Sequence, residues 1–101
     1  VLLDYVDDAL LPSIYAGAAV VAYPSWYEGF GLPVLEGLAA GVPVVASRVP
    51  AHEEVAGDQA TLIDPSDIEE LAEALVGALR TAEQDPMNRA ARRARAARYT
   101  W

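Results

Sequence analysis

The sequence predicts an α/β fold, an open and mostly parallel sheet with flanking helices, on three observations. Two unbroken apolar runs, Ala18 to Tyr23 and Val42 to Ala46, have the length and composition of strands buried on both faces. Segments with apolar residues at helical spacing lie around them. Strand and helix alternate along the chain, which favours parallel pairing because each helical crossover covers the sheet it leaves. The 101 residues, 53% of them hydrophobic, are enough for one core and not for two.

Each element has its own local signal. Val1-Leu2-Leu3 reads as the tail of a buried strand, so the chain is expected to begin mid-domain. Asp7 and Asp8 precede a helical pattern carrying Leu10, Leu11, Ile14 and Tyr15, with Pro12 near the start, where it is tolerated. The strand ending at Tyr23 is closed by Pro24-Ser25, and a loop runs from Trp26 to Gly31. Pro33 opens the next helix, which buries Val34, Leu35 and Leu38 and stops at Gly41. After the strand Val42–Ala46 come a short strand at Thr61-Leu62-Ile63 and a capping-box pattern, Ser66 with Glu69. That pattern leads a helix with Ile68, Leu71, Leu75, Val76 and Leu79 facing inward, and a last helix, rich in alanine and arginine, runs from about Pro86 to Ala97.

Charge and composition exclude several roles. The net charge is −8, from 15 acidic against 7 basic residues, which argues against neutralising a phosphate backbone and hence against a nucleic-acid partner. All seven basic residues are arginine, and five of them fall between Arg89 and Arg98. There is no cysteine, so disulfides, thiolate metal sites and thiol nucleophiles are ruled out. No apolar run reaches the roughly 18 to 20 residues of a membrane span, and a cytoplasmic location is expected.

The most unusual residues follow the first strand, in the segment from Pro24 to Glu36. Ligands of open α/β sheets bind outside the carboxyl ends of the strands. Gly29 and Gly31 allow a backbone to come close to a ligand, and the helix starting near Pro33 offers free N–H groups and a positive dipole end to an anion. Glu28 and Glu36 flank this turn, and a carboxylate accepts two hydroxyl hydrogen bonds, as the vicinal diols of a ribose or hexose provide. A diphosphate between two sugars fits that pattern. Spacing alone leaves other ligands open, because glycine-rich strand-to-helix turns are common.

The run Glu28-Gly29-Phe30-Gly31-Leu32-Pro33-Val34-Leu35-Glu36, followed by Ala39 to Ser47, closely resembles the signature of family 4, or group 1, glycosyltransferases of the GT-B fold. The likeness extends to Asp4 through Asp8, Leu11 with Tyr15 to Ala18, Glu54 to Gly57, Asp64-Pro65 and Tyr99 to Trp101. It implies a Rossmann-like C-terminal half-domain, residues 1–101, that holds a nucleoside-diphosphate sugar and in the full protein passes the glycosyl group to an acceptor with retention.

By the same resemblance, Glu28 is the catalytic candidate and meets hydroxyls of the donor sugar, and Glu36 meets the ribose. Backbone groups of Phe30 and Gly31 lie near the sugar and those of Leu32, Val34 and Leu35 near the diphosphate, Val6 lines the base, and Gly29 belongs to the same donor-binding set. No cofactor and no metal is expected in the site. The acceptor, a sugar, lipid or other small molecule, belongs to an absent upstream domain, and membrane association is expected only through parts absent from the chain. Only 27 residues precede Glu28, so the basic pair that neutralises the leaving diphosphate in the family also falls outside the chain. A non-catalytic nucleotide-sugar-binding or interaction module is the alternative reading, and a GT-B sugar-nucleotide epimerase is a further enzymatic one.

Simpler roles are assigned to the remaining candidates. Trp26 and Tyr27 read as covering a sheet edge. His52 has no partner at metal-ligand spacing and reads as a surface histidine. Glu54 reads as bracing the short helix around Val55. The arginine-rich last helix, whose apolar face is mostly alanine, reads as a solvated helix facing the missing domain rather than a membrane anchor.

Overall fold

A computed structural model of the chain describes residues 17–24, 32–81 and 86–99. The elements are β1 (Val21–Tyr23), α1 (Leu32–Ala39), β2 (Val44–Ser47), α2 (Pro50–Ala56), β3 (Thr61–Ile63), α3 (Ile68–Thr81) and α4 (Pro86–Ala97). The strand tail at Val1–Leu3 and the helix around Leu10 to Tyr15 fall outside the described residues.

The three strands form one parallel sheet in the order β1-β2-β3, with Val21 opposite Val44 and Val45 opposite Thr61. Side chains alternate across a strand, so β2 serves two faces. Val44 and Ala46 join a cluster with Val34 and Leu38 of α1, Val55 and Ala56 of α2, and Ala96 of α4. Helix α3 packs against β2 and β3 and contributes nothing to that cluster, which puts it on the other face. Val34 and Leu38 are completely buried. Each such side chain contributes about 1.5–3 kcal/mol of transfer free energy.

A close approach and a tight stop set the position of α1. A Cβ on Gly37 would stand 2.7 Å from Cγ2 of Val44, so the helix lies against β2 at a distance only glycine allows. The helix ends where the N–H of Val42 donates to Gly37 O (3.1 Å) and that of Gly41 to Leu38 O (2.9 Å), with Gly41 at φ +76°. These two bonds form a Schellman stop, which returns the chain to β2.

Several expectations are corrected. The run Ala18–Tyr23 yields a strand of three residues whose Ala22 is exposed, because among the described residues β1 has a neighbour on one side only. It is β2 that is buried throughout. The cap of α3 is Asp67 rather than Ser66: its Oδ1 accepts from the N–H of Glu70 (3.0 Å), the third residue of the helix. Glu70 in turn accepts from the N–H of Asp64 (3.1 Å). Ile68, Val76 and Leu79 were expected inside, yet Ile68 is 79% exposed and the other two about half, since the three strands among the described residues do not cover the whole stripe.

The last helix is not a solvated one. It packs on α1 and α2, buries Ala96, and its guanidinium groups meet helix ends: Arg92 Nη1 donates to Gly41 O (3.1 Å), Arg95 Nε to Val55 O (2.9 Å) and Arg95 Nη2 to Glu54 O (2.6 Å). An α-helix leaves its last carbonyls unpaired and its C-terminus partly negative, which makes arginine the favoured partner there. Tyr99 Oη also donates to Glu54 O (2.8 Å), so the brace at Glu54 is made by its carbonyl.

Candidate functional site

Because all strands run the same way, Tyr23, Ser47 and Ile63 end at one edge of the sheet, and α1 and α2 both leave from that edge. A Ser47 hydroxyl bond to Tyr23 O (3.3 Å) ties the ends of β1 and β2 together. This carboxyl edge is where ligands of open α/β sheets bind. A concavity of about 510 Å³ lies at the opposite edge, against Pro43, Val44, Ala60 and Thr61. By the same rule that one is not the candidate.

Of the residues singled out from the sequence, Val6, Glu28, Gly29, Phe30 and Gly31 lie outside the described residues. The others begin α1. Leu32 is its first residue, Val34 is fully buried in the core, and Leu35 and Glu36 are half-buried. The first turn of α1 contains no acidic side chain, so nothing within the helix offsets its positive end. Pro33 has no N–H, which leaves those of Leu32, Val34 and Leu35 as first-turn donors.

Glu36 lines an open groove of about 530 Å³ between α1 and α4, with Leu35 and Ala39 beside it and Arg93, Ala96 and Tyr99 opposite. Among the described residues its carboxylate makes no hydrogen bond and no ion pair. Half-burial without a partner leaves a carboxylate partly desolvated and able to accept. Arg48, which follows β2 at the carboxyl edge, is turned toward β3 instead: Nη2 donates to Leu62 O (2.8 Å) and pairs with Glu70 (3.4 Å).

His52 is a correction. Expected at the surface, it is completely buried, because it shares a helix face with Val55 and Ala56, three and four residues on. Its Nδ1 donates to Ser47 O (2.8 Å), and its ring meets the Tyr23 ring edge-on, with centroids 5.7 Å apart. The i, i+3, i+4 spacing with Val55 and Ala56 is the signal that could have placed it inside.

Comparison with known proteins agrees with this architecture. The family described as "Glycosyl transferases group 1" matches residues 1–81. The chain is 40% identical over 99 residues to O-antigen chain mannosyltransferase B of Escherichia coli, covering 98% of this chain and 26% of that protein. It is 44% identical over 73 residues to an MMP alpha-(1->4)-mannosyltransferase of Mycolicibacterium hassiacum, covering 69% and 18%. It is 40% identical over 94 residues to a D-inositol 3-phosphate glycosyltransferase of Saccharomonospora viridis, covering 90% and 22%. The chain belongs to the group 1 glycosyltransferases, and its parallel sheet with flanking helices is a Rossmann-like half-domain of the GT-B kind. It spans about a quarter or less of the length of these relatives.

Proposed function

We propose that this chain binds a nucleoside-diphosphate sugar and that, in a protein of its relatives' length, the glycosyl group passes to an acceptor hydroxyl with retention at the anomeric carbon. The observation that carries the reading is Glu36: a half-buried carboxylate without a partner among the described residues, in an open groove, close to the N-terminus of a helix whose first turn holds no acidic side chain. The helix end takes the diphosphate and Glu36 the ribose diol. Glu28 takes hydroxyls of the transferred sugar, with the backbone of Gly29, Phe30 and Gly31 beside it and Val6 against the base. When the bond from the anomeric carbon to the diphosphate oxygen breaks, the electron pair leaves with the diphosphate. The positive helix end stabilises that charge without reorganising. No metal or cofactor is assigned to the step. Two of the compared relatives are named mannosyltransferases, which makes mannose the first hexose to try.

The two glutamates are expected to fail differently. Glu36→Ala weakens free nucleoside diphosphate and nucleotide sugar alike, by about 1.5–3 kcal/mol, the range for hydrogen bonds to a charged group. Glu28→Ala leaves the free diphosphate nearly untouched and depresses turnover, because sugar contacts matter most as the ring approaches its transition state. Calorimetric titration of both variants, with turnover measured alongside, tests this. Equal loss of diphosphate affinity in the two would overturn the division of roles.

A further inference from the structure

The imidazole of His52 has one nitrogen in use and one idle. Nδ1 faces a carbonyl oxygen, which only accepts, so Nδ1 carries the proton of the neutral ring and Nε2 presents a lone pair. That Nε2 is sealed from solvent and has no hydrogen-bond partner. A buried polar atom left unpaired costs about 1–3 kcal/mol, and leucine in the same place would avoid the cost. The ring sits in the first turn of α2, directly after the carboxyl end of β2 and edge-on to Tyr23, the last residue of β1. The buried ring thus lies close to the carboxyl edge of the sheet, the edge at which ligands of open α/β sheets bind.

We infer that His52 is a positioning residue of the donor site, whose Nε2 accepts a hydrogen bond from a sugar hydroxyl of the nucleotide sugar when that ligand binds. The inference rests on the donor-binding reading above. An unprotonated ring nitrogen calls for an O–H or N–H donor. Diphosphate oxygens only accept at neutral pH, and hydroxyls are the donors such a ligand has in quantity. Nε2 is covered in the free protein, so the hydroxyl reaches it through a small displacement at the carboxyl edge. The bond from Nδ1 to Ser47, together with the Ser47–Tyr23 link, holds the ring and both strand ends in one register.

His52→Asn separates this role from a structural one. An asparagine amide reaches about as far as Nδ1 and still donates to Ser47 O, but it has nothing at the position of Nε2. In the full-length protein the variant is expected to melt close to the wild type and to bind nucleotide sugar about three- to ten-fold more weakly, the value of one hydrogen bond. Loss for nucleotide sugar with free nucleoside diphosphate unaffected identifies the hydroxyl as the hexose's. Loss for both identifies it as the ribose's. Unchanged affinity for both ligands overturns the inference and leaves the donor-binding reading intact, whereas a wild type that binds neither ligand overturns both. Should His52→Asn not fold, the 15N resonance of the unprotonated ring nitrogen in the wild type takes its place. It is expected to shift on adding nucleotide sugar, and a stationary resonance overturns the inference.

Discussion

The two edges of the sheet treat their polar groups in opposite ways. At the amino edge, the carbonyls that end α1 and α2 are met by the arginines of α4: Gly41 by Arg92, and Glu54 and Val55 by Arg95, with Tyr99 added at Glu54. Toward the carboxyl edge, the second turn of α1 and the first turn of α2 carry a carboxylate and an imidazole nitrogen that have no partner among the described residues, Glu36 and His52 Nε2. Both ends of a helix leave backbone groups unpaired, so the asymmetry lies in the side chains. One edge is closed by the protein's own residues, and the other holds unpaired acceptors that a hydroxyl-rich, anionic ligand can satisfy.

The largest effect that tests this contrast is expected from Arg95→Met, which keeps the apolar stem and removes the guanidinium fork. It breaks two bonds to carbonyls and the stacking on Tyr99, at 5.9 Å from the ring centre. Denaturant unfolding should show a loss of about 1.5–3 kcal/mol, the range for bonds from a charged donor. Donor affinity should stay as in the wild type. A variant of normal stability with weakened donor binding would reverse the roles assigned to the edges.

Gly41→Ala should act at the same edge and more weakly. A φ of +76° disfavours any residue with a Cβ, by about 1 kcal/mol or somewhat more. The new Cβ would also lie 2.5 Å from Cγ of Arg89, which must move. A fall of about 1–2 kcal/mol in unfolding free energy is expected, again without change in donor affinity. Undiminished stability would mean that α1 ends in some other way.

How far the sequence discloses each edge follows from the range of the interactions involved. The helix stop at Gly41, the strand at Val44–Ser47 and the start of α1 near Pro33 are local patterns, and they are legible as such. Two errors are also local: the α3 cap falls to Asp67, next to Ser66, and His52 is carried inside by the helix face it shares with Val55 and Ala56. The arginines of α4 are legible as a charge cluster only. Their partners lie about 40 to 50 residues back, and nothing in the spacing of Arg92 and Arg95 points to Gly41 or Val55. Ala22 shows the reverse failure: an apolar run reports that burial is needed, while the depth reached depends on which strands lie alongside.

The smallest expected effect asks whether position at the carboxyl edge is enough to make a site. Asp64 follows β3 at that edge, yet its Oδ1 accepts from the Ser66 hydroxyl (2.7 Å) and the Ser66 N–H (2.9 Å). The Ser66 hydroxyl bond, then the Ser66 backbone bond and the nearby Arg48 charge, hold its carboxyl below the ordinary value. A group whose pKa is lower in the folded state favours folding when ionised. Its contribution is complete above the unfolded value, about 4, and is lost as pH falls through the lowered folded value. The stability difference between wild type and Asp64→Asn should therefore be constant near neutrality and shrink at acid pH, as a pH series of unfolding curves would show. A difference that persists to the most acid point would mean that ionisation of Asp64 is not what the turn uses. Donor affinity of Asp64→Asn should match the wild type, because this carboxylate already has its partners. At the carboxyl edge the proposed ligand contacts fall instead to groups without partners among the described residues, Glu36 and His52.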